Sequence, residues 1–513
     1  MLRRAPVILF TALSLGLTAC ESNLFEGGFS RFDEPVREAV TVGQSVDSYY
    51  GAAAERVAVK SARTKPGAAK NVILFIGDGM GVSTVTAARI HAGQLAGVDG
   101  ESYQLAMETL PYAALVKTYS HDAQVSDSAA TATAMVAGVK SPARTVGVTQ
   151  TARFGNCNSG AGAGTDTIFE LAENAGLATG VVSTARLTHA TPASTFAESV
   201  DRNWENDTTI PMGATCKDIA QQFIDWSAGD HFEIALGGGR GHFLASTDID
   251  PETDQPGLRA DGKNLAAAWE LKSEDHVTVY NRAGFEAALT DPDAKILGLF
   301  EPSHMQYELD RDESASGEPS IVDMTRAAID RLSRHEEGYV LMVEAGRIDH
   351  AHHGTNAARA LTDTVVFDQA VAAALEMTDP EETLIIVTAD HSHTLTIQGY
   401  QPRNTPILGK VVGPFGSPLR LLDGKPYTTL SYANGGSACT PAEGKPCERA
   451  DLTDVDTTDR NFRQQVLLPR ASETHAGEDV PLFALGPGAE MLTGVIEQHD
   501  IFHVMGHATG LVE

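Results

Sequence analysis

Three apolar runs in this chain each stop on metal-ligating side chains, and that pattern constrains the fold more than any other feature. Thr383-Leu-Ile-Ile-Val-Thr-Ala389 ends in Asp390-His391-Ser392-His393. Asn71-Val-Ile-Leu-Phe-Ile-Gly77 runs into Asp78, and Tyr339-Val-Leu-Met-Val343 runs into Glu344-Ala-Gly-Arg-Ile-Asp349-His350-Ala-His352-His353. Short apolar runs bounded by polar residues are consistent with strands buried on both faces. In open α/β sheets the ligand site lies at the carboxyl ends of such strands. One carboxylate after a core strand is commonly just solvated. Three such ends, holding five of the 17 histidines, point instead to a multinuclear metal site.

The rest of the chain supports an α/β reading. From Ala68 to about Ile397, strand-like runs (Gly180 to Ser183, Ile234 to Leu236, Val277 to Tyr280, Ile296 to Phe300) alternate with helical stretches. The helical candidates are Tyr103 to Leu110, Ala129 to Ala137, Thr167 to Ala175, Ile219 to Trp226, Ile321 to Arg334 and Ala357 to Met377. The alternation predicts a three-layer α/β/α sandwich around a central, largely parallel mixed sheet. Residues 21–67 read as a tether and N-terminal arm, 68–397 as the core and 471–513 as its C-terminal part. Residues 398–470, rich in Gly, Pro, Thr and Asp with β-like pieces such as Leu419 to Leu422, read as an inserted cap. The Gly/Ala-rich stretch Ser159 to Gly164 reads as a loop.

Residues 1–20 predict an export signal: Arg3 and Arg4 precede the apolar stretch Val7 to Leu17, too short for an ordinary transmembrane helix. Leu17-Thr-Ala-Cys20 resembles a bacterial lipoprotein signal with Cys20 lipidated. A plain secretory signal cut near Ala19 is the alternative. Periplasm or cell envelope is the expected location, with the membrane touched through the lipid. In an oxidising compartment the other four cysteines favour two disulfides, Cys439 with Cys447 locally and Cys157 with Cys216 over a longer stretch. A zinc site is the alternative for these four, though neither pair has CxxC spacing. A net charge of −30 argues against nucleic-acid binding.

Ser126-Asp127-Ser128 opens an Ala-rich helix. The plain reading is an N-cap. The functional one uses the same geometry, because a serine in the first turn has backbone N–H groups and the positive dipole end aimed at any anion it attacks. No G-x-S-x-G elbow surrounds it, and Gly77-Asp78-Gly79-Met-Gly81 matches neither nucleotide-binding glycine motif.

In this order, Phe75-Ile-Gly-Asp78-Gly-Met-Gly, Asp127-Ser128-Ala-Ala-Thr-Ala, Ser183-Thr-Ala-Arg-Leu-Thr-His189-Ala-Thr191-Pro-Ala, Val343-Glu344-Ala-Gly-Arg-Ile-Asp349-His350, Thr388-Ala-Asp390-His391-Ser-His and Thr474-His475-Ala-Gly-Glu-Asp resemble the alkaline phosphatase family. The resemblance runs from about Asn71 to the C-terminus. It implies an enzyme that hydrolyses a broad range of phosphate monoesters through a phosphoserine on Ser128, with two zinc ions and one magnesium. By the same resemblance Asp349, His353 and His475 would hold the first zinc, and Asp78, Asp390 and His391 the second. Asp78, Thr191 and Glu344 would hold the magnesium, and Arg202 would clamp the phosphate. His189 and His350 follow the animal-type branch and are expected just outside the metals, where they would bias the third site toward zinc. Cys157 and Cys216 also look like that branch. Some members carry a calcium site near a Phe-Glu-Pro motif. Phe300-Glu301-Pro302 and Glu252 are present, but Asp312-Glu-Ser-Ala-Ser316 puts Ser where a further Asp is expected. The family also suggests a homodimer. A phosphodiesterase of the same superfamily and a non-catalytic metal- or phosphate-binding lipoprotein are the rival readings.

Overall fold

The computed structural model describes residues 40, 42–61, 67–437 and 448–512. Cys20, the stretch 1–20 expected to be an export signal, Cys439 and Cys447 lie outside the described residues. Strands are numbered in chain order: β1 Asn71–Gly77, β2 Tyr112–Lys117, β3 Ala178–Arg186, β4 Ile234–Gly238, β5 His276–Val279, β6 Lys295–Leu299, β7 Tyr339–Ala345 and β8 Thr383–Ala389. They continue with β9 Ser392–His393, β10 Leu395–Ile397, β11 Leu430–Gly435, β12 Val466–Pro469, β13 His475–Ala476, β14 Val480–Leu485 and β15 Gly494–Glu497.

Ten of these form one sheet in the order β15-β2-β14-β8-β1-β7-β3-β4-β6-β5. β14 pairs antiparallel with both its neighbours, and the other pairings are parallel. β7 and β8 are buried at every residue, which is why their sequences are continuous apolar runs rather than alternating ones. Helix Ala357–Met377 packs on both Val82–Leu95 and Ile321–Leu332, and it and Ile321–Leu332 lie on the sheet; Ser128–Ala137, Ile168–Asn174 and Asp500–Thr509 form a separate group against it. Both groups reach the central strands, so the layers are α/β/α. Phe75 of β1 packs edge-on against Phe367, ring centroids 5.8 Å apart. Burial of each such side chain contributes about 1.5–3 kcal/mol.

Register sets the site. Gly77 lies opposite Ala389 in β8 and Ala345 in β7, so Asp78, Asp390 and the end of β7 emerge side by side. Ser183 of β3 lies opposite Glu344. The turn after β1 needs glycine: Gly79 has φ +72°, and a Cβ there would sit 2.4 Å from the His393 ring.

Several local expectations change. The helix expected over Tyr103 to Leu110 is only a 3-10 turn, Met107–Thr109. The Leu419 to Leu422 piece forms isolated pairings (Val412 with Pro418, Arg420 with Pro426) rather than a strand. The Ser159 to Gly164 stretch begins inside a one-turn helix, Cys157–Gly160. Leu395–Ile397, Leu430–Gly435 and Val466–Pro469 form a small separate sheet beside the core.

Candidate active site

Ser128 is the first residue of a ten-residue helix capped by Asp127 and ended by Gly138 in the left-handed region. Its hydroxyl donates to Asp78 Oδ1 at 3.3 Å and lies 3.2 Å from His391 Nε2. His391 Nε2 is in turn 3.4 Å from Asp78 Oδ1 and 3.3 Å from Asp390 Oδ2. Asp390 Oδ1 is spoken for by the backbone N–H of Gly79 (2.9 Å) and of His391 (2.8 Å). These bonds fix the carboxylate and leave Oδ2 beside His391 Nε2.

A second group forms where helix Arg347–His353 meets the returning chain. Asp349 and His353, four residues apart, share a helix face. Asp349 Oδ1 lies 3.4 Å from both His353 Nε2 and His475 Nε2. His353 Nδ1 donates to the Glu473 carbonyl at 2.7 Å, and His475 Nδ1 donates to the Ser126 carbonyl at 2.8 Å. Each neutral ring then turns an Nε2 lone pair inward, and the two meet at 3.2 Å. Two lone pairs facing each other beside a carboxylate describe a place for a cation, and the mixed nitrogen and oxygen donors suit zinc.

Buried polar atoms without a hydrogen-bond partner make the same point. Asp78 Oδ2, Asp390 Oδ2, Glu344 Oε1 and Thr191 Oγ1 are all of this kind, whereas buried polar groups are ordinarily paired. Among the described residues, potential ligand atoms within 4.8 Å of one another fall into three groups: Asp349, His353, His393 and His475; Asp78, Asp349 and His391; and Asp78, His189 and Glu344. Burial first, then Asp390, Asp349 and Glu344, push Asp78 well above the usual carboxylate range. Burial also pushes Glu344 up to about 7, against the Ser183 hydroxyl donating to it. Anions crowded in this way fit a site for several divalent cations. The hard oxygen donors Asp78, Thr191 and Glu344 suit magnesium.

Two histidines fall outside the ligand role for a reason of proton placement. Burial lowers His393, but Asp349 and Glu473 outweigh it and raise the ring to about 10. Nε2–H donates to Asp349 at 2.6 Å and Nδ1–H to Glu473 at 2.5 Å, leaving no lone pair for a metal. Burial likewise pushes Asp349 up, yet His353 and His393 hold it well below its usual range. His189 Nε2 accepts from Arg202 Nη2 at 2.9 Å, so the neutral ring carries its proton on Nδ1. His350 lies beside it, ring centroids 5.5 Å apart. His352 is occupied by Thr84 (3.0 Å) and Tyr432 (2.8 Å).

A cleft of about 380 Å³ opens onto Ser128, lined among others by Asp127, Arg144, Arg186, Arg202, His353 and His475. Arg202 Nη1 bonds Asp127 Oδ2 at 2.8 Å. The sequence reading passed over Arg186, held by Glu205 at 2.7 and 2.6 Å, and His304, whose ring lies 4.0 Å from His350. It also passed over Glu473, which joins His393 to Thr394. Arg186 stands inside the Ser183 to Ala193 motif without a role read for it, His304 has no motif of its own, and only the folded chain brings the three here.

The sequence-predicted pair Cys157 and Cys216 is bridged, Cα atoms 5.6 Å apart. At the Phe300-Glu301-Pro302 segment, Glu252 accepts from Arg240 (2.8 Å) and Asn281 (3.0 Å), so a guanidinium already balances it. The later acidic side chain near Glu301 is Glu318, not a residue of the Asp312 to Ser316 stretch. Gln306 bonds both, at 2.8 Å to Glu318 and 3.1 Å to Glu301. Burial, with Glu301 adding to it, pushes Glu318 up to about 8. No helix among the described residues is long and apolar enough to cross a membrane.

An α/β/α sandwich that gathers buried carboxylates, imidazoles and a helix-start serine at its strand ends is the frame of a metal-dependent hydrolase. A family model for alkaline phosphatase matches residues 69–511. The chain is 44% identical to the tissue-nonspecific isozyme of alkaline phosphatase from Gallus gallus over 450 residues, covering 86% of this chain and 84% of that one. It is 42% identical to the Mus musculus isozyme over 464 residues, 88% and 86% of the two chains. Among solved structures it resembles Thermus thermophilus alkaline phosphatase at 26% identity and a TM-score of 0.61, covering 88% of this chain and 93% of that one. The alkaline phosphatase of the Antarctic bacterium TAB5 shares the fold, with 23% identity, a TM-score of 0.59 and coverage of 88% and 100%. The chain belongs to the alkaline phosphatase family. It is therefore a metal-binding phosphatase by class.

Proposed function

We propose that this chain hydrolyses a broad range of phosphate monoesters by passing the phosphoryl group first to Ser128 and then to water. The observation that carries the reading is the Ser128 hydroxyl, set between Asp78 Oδ1 and His391 Nε2 at a helix start and open to the cleft. In this reading Asp349, His353 and His475 hold one zinc, Asp78, Asp390 and His391 a second, and Asp78, Thr191 and Glu344 a magnesium. Bound there, the cations would lower the serine pKa and offset charge on the phosphoryl oxygens.

The remaining roles belong to the chain. Ser128 Oγ bonds to phosphorus as the ester P–O bond breaks, the alcohol leaving with the proton that the serine gives up. Water then cleaves the phosphoserine to inorganic phosphate and restores the hydroxyl, and the helix N-terminus favours the anion in front of it. Arg202 grips two phosphoryl oxygens, a task for which a planar fork is suited. Asp127 and His189 hold that guanidinium in place beforehand, so little is lost in ordering it. Because the recognised part is the phosphoryl group, discrimination between leaving groups is weak.

Ser128→Ala should keep fold and metals while cutting turnover by roughly 10³-fold or more. Labelled phosphate from substrate, trapped by acid quench on the wild type, should be missing from the variant. Label retained on Ser128→Ala would identify a different nucleophile.

The same proposal places the chain in a bacterial cell envelope as a lipoprotein anchored at Cys20, with residues 398–470 as an insertion and a homodimer as the working unit. The Arg3-Arg4 start, the apolar stretch and Leu17–Cys20 support the anchor. Mass spectrometry of the mature N-terminus and sedimentation of the purified protein check these points; an unmodified, uncleaved N-terminus or a monomer would remove them.

A further inference from the structure

Arg144 holds an uncommon backbone conformation at the edge of the cleft. Its φ is +69°, and of the described non-glycine residues with positive φ (Arg144, His231, Asp254, Thr355 and Asn404) it alone lines the cleft. Side chains with a Cβ are disfavoured there, and a glycine would take the position without strain. Strained residues concentrate where a site over-determines them, and here the constraint is visible. Arg144 N–H donates to Asp127 Oδ1 at 2.7 Å, and its carbonyl accepts from Arg202 N–H at 2.8 Å. The backbone is thus wedged between the carboxylate that caps the Ser128 helix and the arginine proposed to grip phosphate.

The side chain that starts from this fixed point is free to act. The Arg202 and Arg186 guanidiniums are engaged by Asp127 and Glu205. Arg144 is half exposed, its ion pair with Asp201 is a long 3.9 Å, and its guanidinium lies over the Phe154 ring, 4.1 Å from the centroid. The aromatic face steadies the fork without using its N–H donors.

Building on the phosphatase reading, we infer that Arg144 forms a leaving-group subsite for a second anionic group. The substrates it favours are phosphate monoesters whose alcohol carries a carboxylate or another phosphoryl group a few bonds from the ester oxygen. Arg144 bonds that anion while the phosphoryl group to be transferred sits at Ser128. The family's indifference to leaving groups then has an exception in this chain.

The test compares kcat/KM for phosphoglycolate, ethylene glycol bisphosphate and the uncharged-tail control ethyl phosphate, using the wild type, Arg144→Gly and Arg144→Lys. Glycine suits the left-handed backbone, so the variant keeps the fold. The ratio of kcat/KM for the anionic substrates to that for ethyl phosphate should fall about tenfold in Arg144→Gly, the size expected for one charge-assisted hydrogen bond, and recover in part in Arg144→Lys. A fall for one anionic substrate alone assigns the subsite to a carboxylate or to a phosphoryl group. Equal loss on all three substrates, or ratios unchanged in both arms, overturns the inference. A wild type inactive on all three monoesters would instead overturn the phosphatase reading beneath it.

Discussion

The two edges of the central sheet both bury carboxylates, and they settle them in opposite ways. At the amino edge each has a partner within the chain. Glu173 accepts from the Thr179 hydroxyl at 2.5 Å. Glu233 takes Lys295 Nζ at 2.8 Å, and the same ammonium donates to the carbonyls of Asp230 and His231. At the carboxyl edge Asp78, Glu344 and Asp390 each keep an oxygen without a partner, and two imidazole lone pairs face each other. Desolvating a carboxylate is costly unless a proton, a cation or hydrogen bonds compensate. The amino edge supplies these itself, while the carboxyl edge is built to receive them. Burial of charge alone does not mark a functional site; burial without compensation does.

If that contrast is right, damage at the two edges should separate cleanly. The largest effect is expected at the carboxyl edge, where Glu473 holds the returning chain together. One of its oxygens accepts from His393, and the other from the Thr394 N–H (2.7 Å) and hydroxyl (2.5 Å). Glu473→Gln keeps the Thr394 contacts but turns an amide N–H toward His393. Support of this kind typically changes metal affinity by about 10–100-fold, so chelator competition should strip zinc from the variant at correspondingly lower chelator concentration. Thermal stability of the metal-free protein should fall too, because Glu473 and His393 are fully buried partners, so zinc affinity is the readout that separates the two edges. Wild-type affinity in Glu473→Gln would mean the bracing is incidental.

Lys295→Met probes the other edge, with a smaller effect. Its side chain is only 12% exposed and that of Glu233 9%, so removing the ammonium strands a buried carboxylate. Denaturant unfolding should show a loss of about 2 kcal/mol, below the full cost of a completely buried pair. Turnover per folded molecule should stay within about twofold, since ΔΔG at distant sites is independent. A variant that lost activity without losing stability would erase the distinction between the edges.

How much of this was readable beforehand follows the same division. β7 and β8 were legible because burial on both faces writes an unbroken apolar run, and Asp78, Glu344 and Asp390 followed as the residues at the ends of such runs. The edge strand β15 and its neighbour β2, both partly exposed, carry no such run and were missed. Helix Val82–Leu95, with small and polar residues spread round it, has too weak an apolar stripe to announce itself. The helix expected over Tyr103 to Leu110 failed for a tertiary reason: Asp368 accepts from the Ala106 and Met107 N–H groups at 2.8 Å each, which local sequence cannot reveal. His353 and His475 came from family resemblance, because spacing alone does not join residues so far apart in sequence. Arg144, Arg186, His304 and Glu473 needed the fold itself.

Glu173 gives the smallest effect and the cleanest sign. Burial pushes its carboxyl from an ordinary 4.5 up to about 8, despite the Thr179 hydroxyl that favours the ionised form. The folded chain therefore keeps a proton that the unfolded chain releases between those values. Unfolded molecules bind fewer protons across that window, so stability falls as pH rises from 4.5 through about 8 and levels off above it. Glu173→Gln preserves an oxygen for Thr179 and has nothing to titrate. Its melting temperature should match the wild type near about pH 5 and exceed it by about 2 °C near about pH 9. Parallel curves for the two proteins would show that Glu173 is already ionised in the fold, and that the amino edge, too, buries a charge its own partners do not settle.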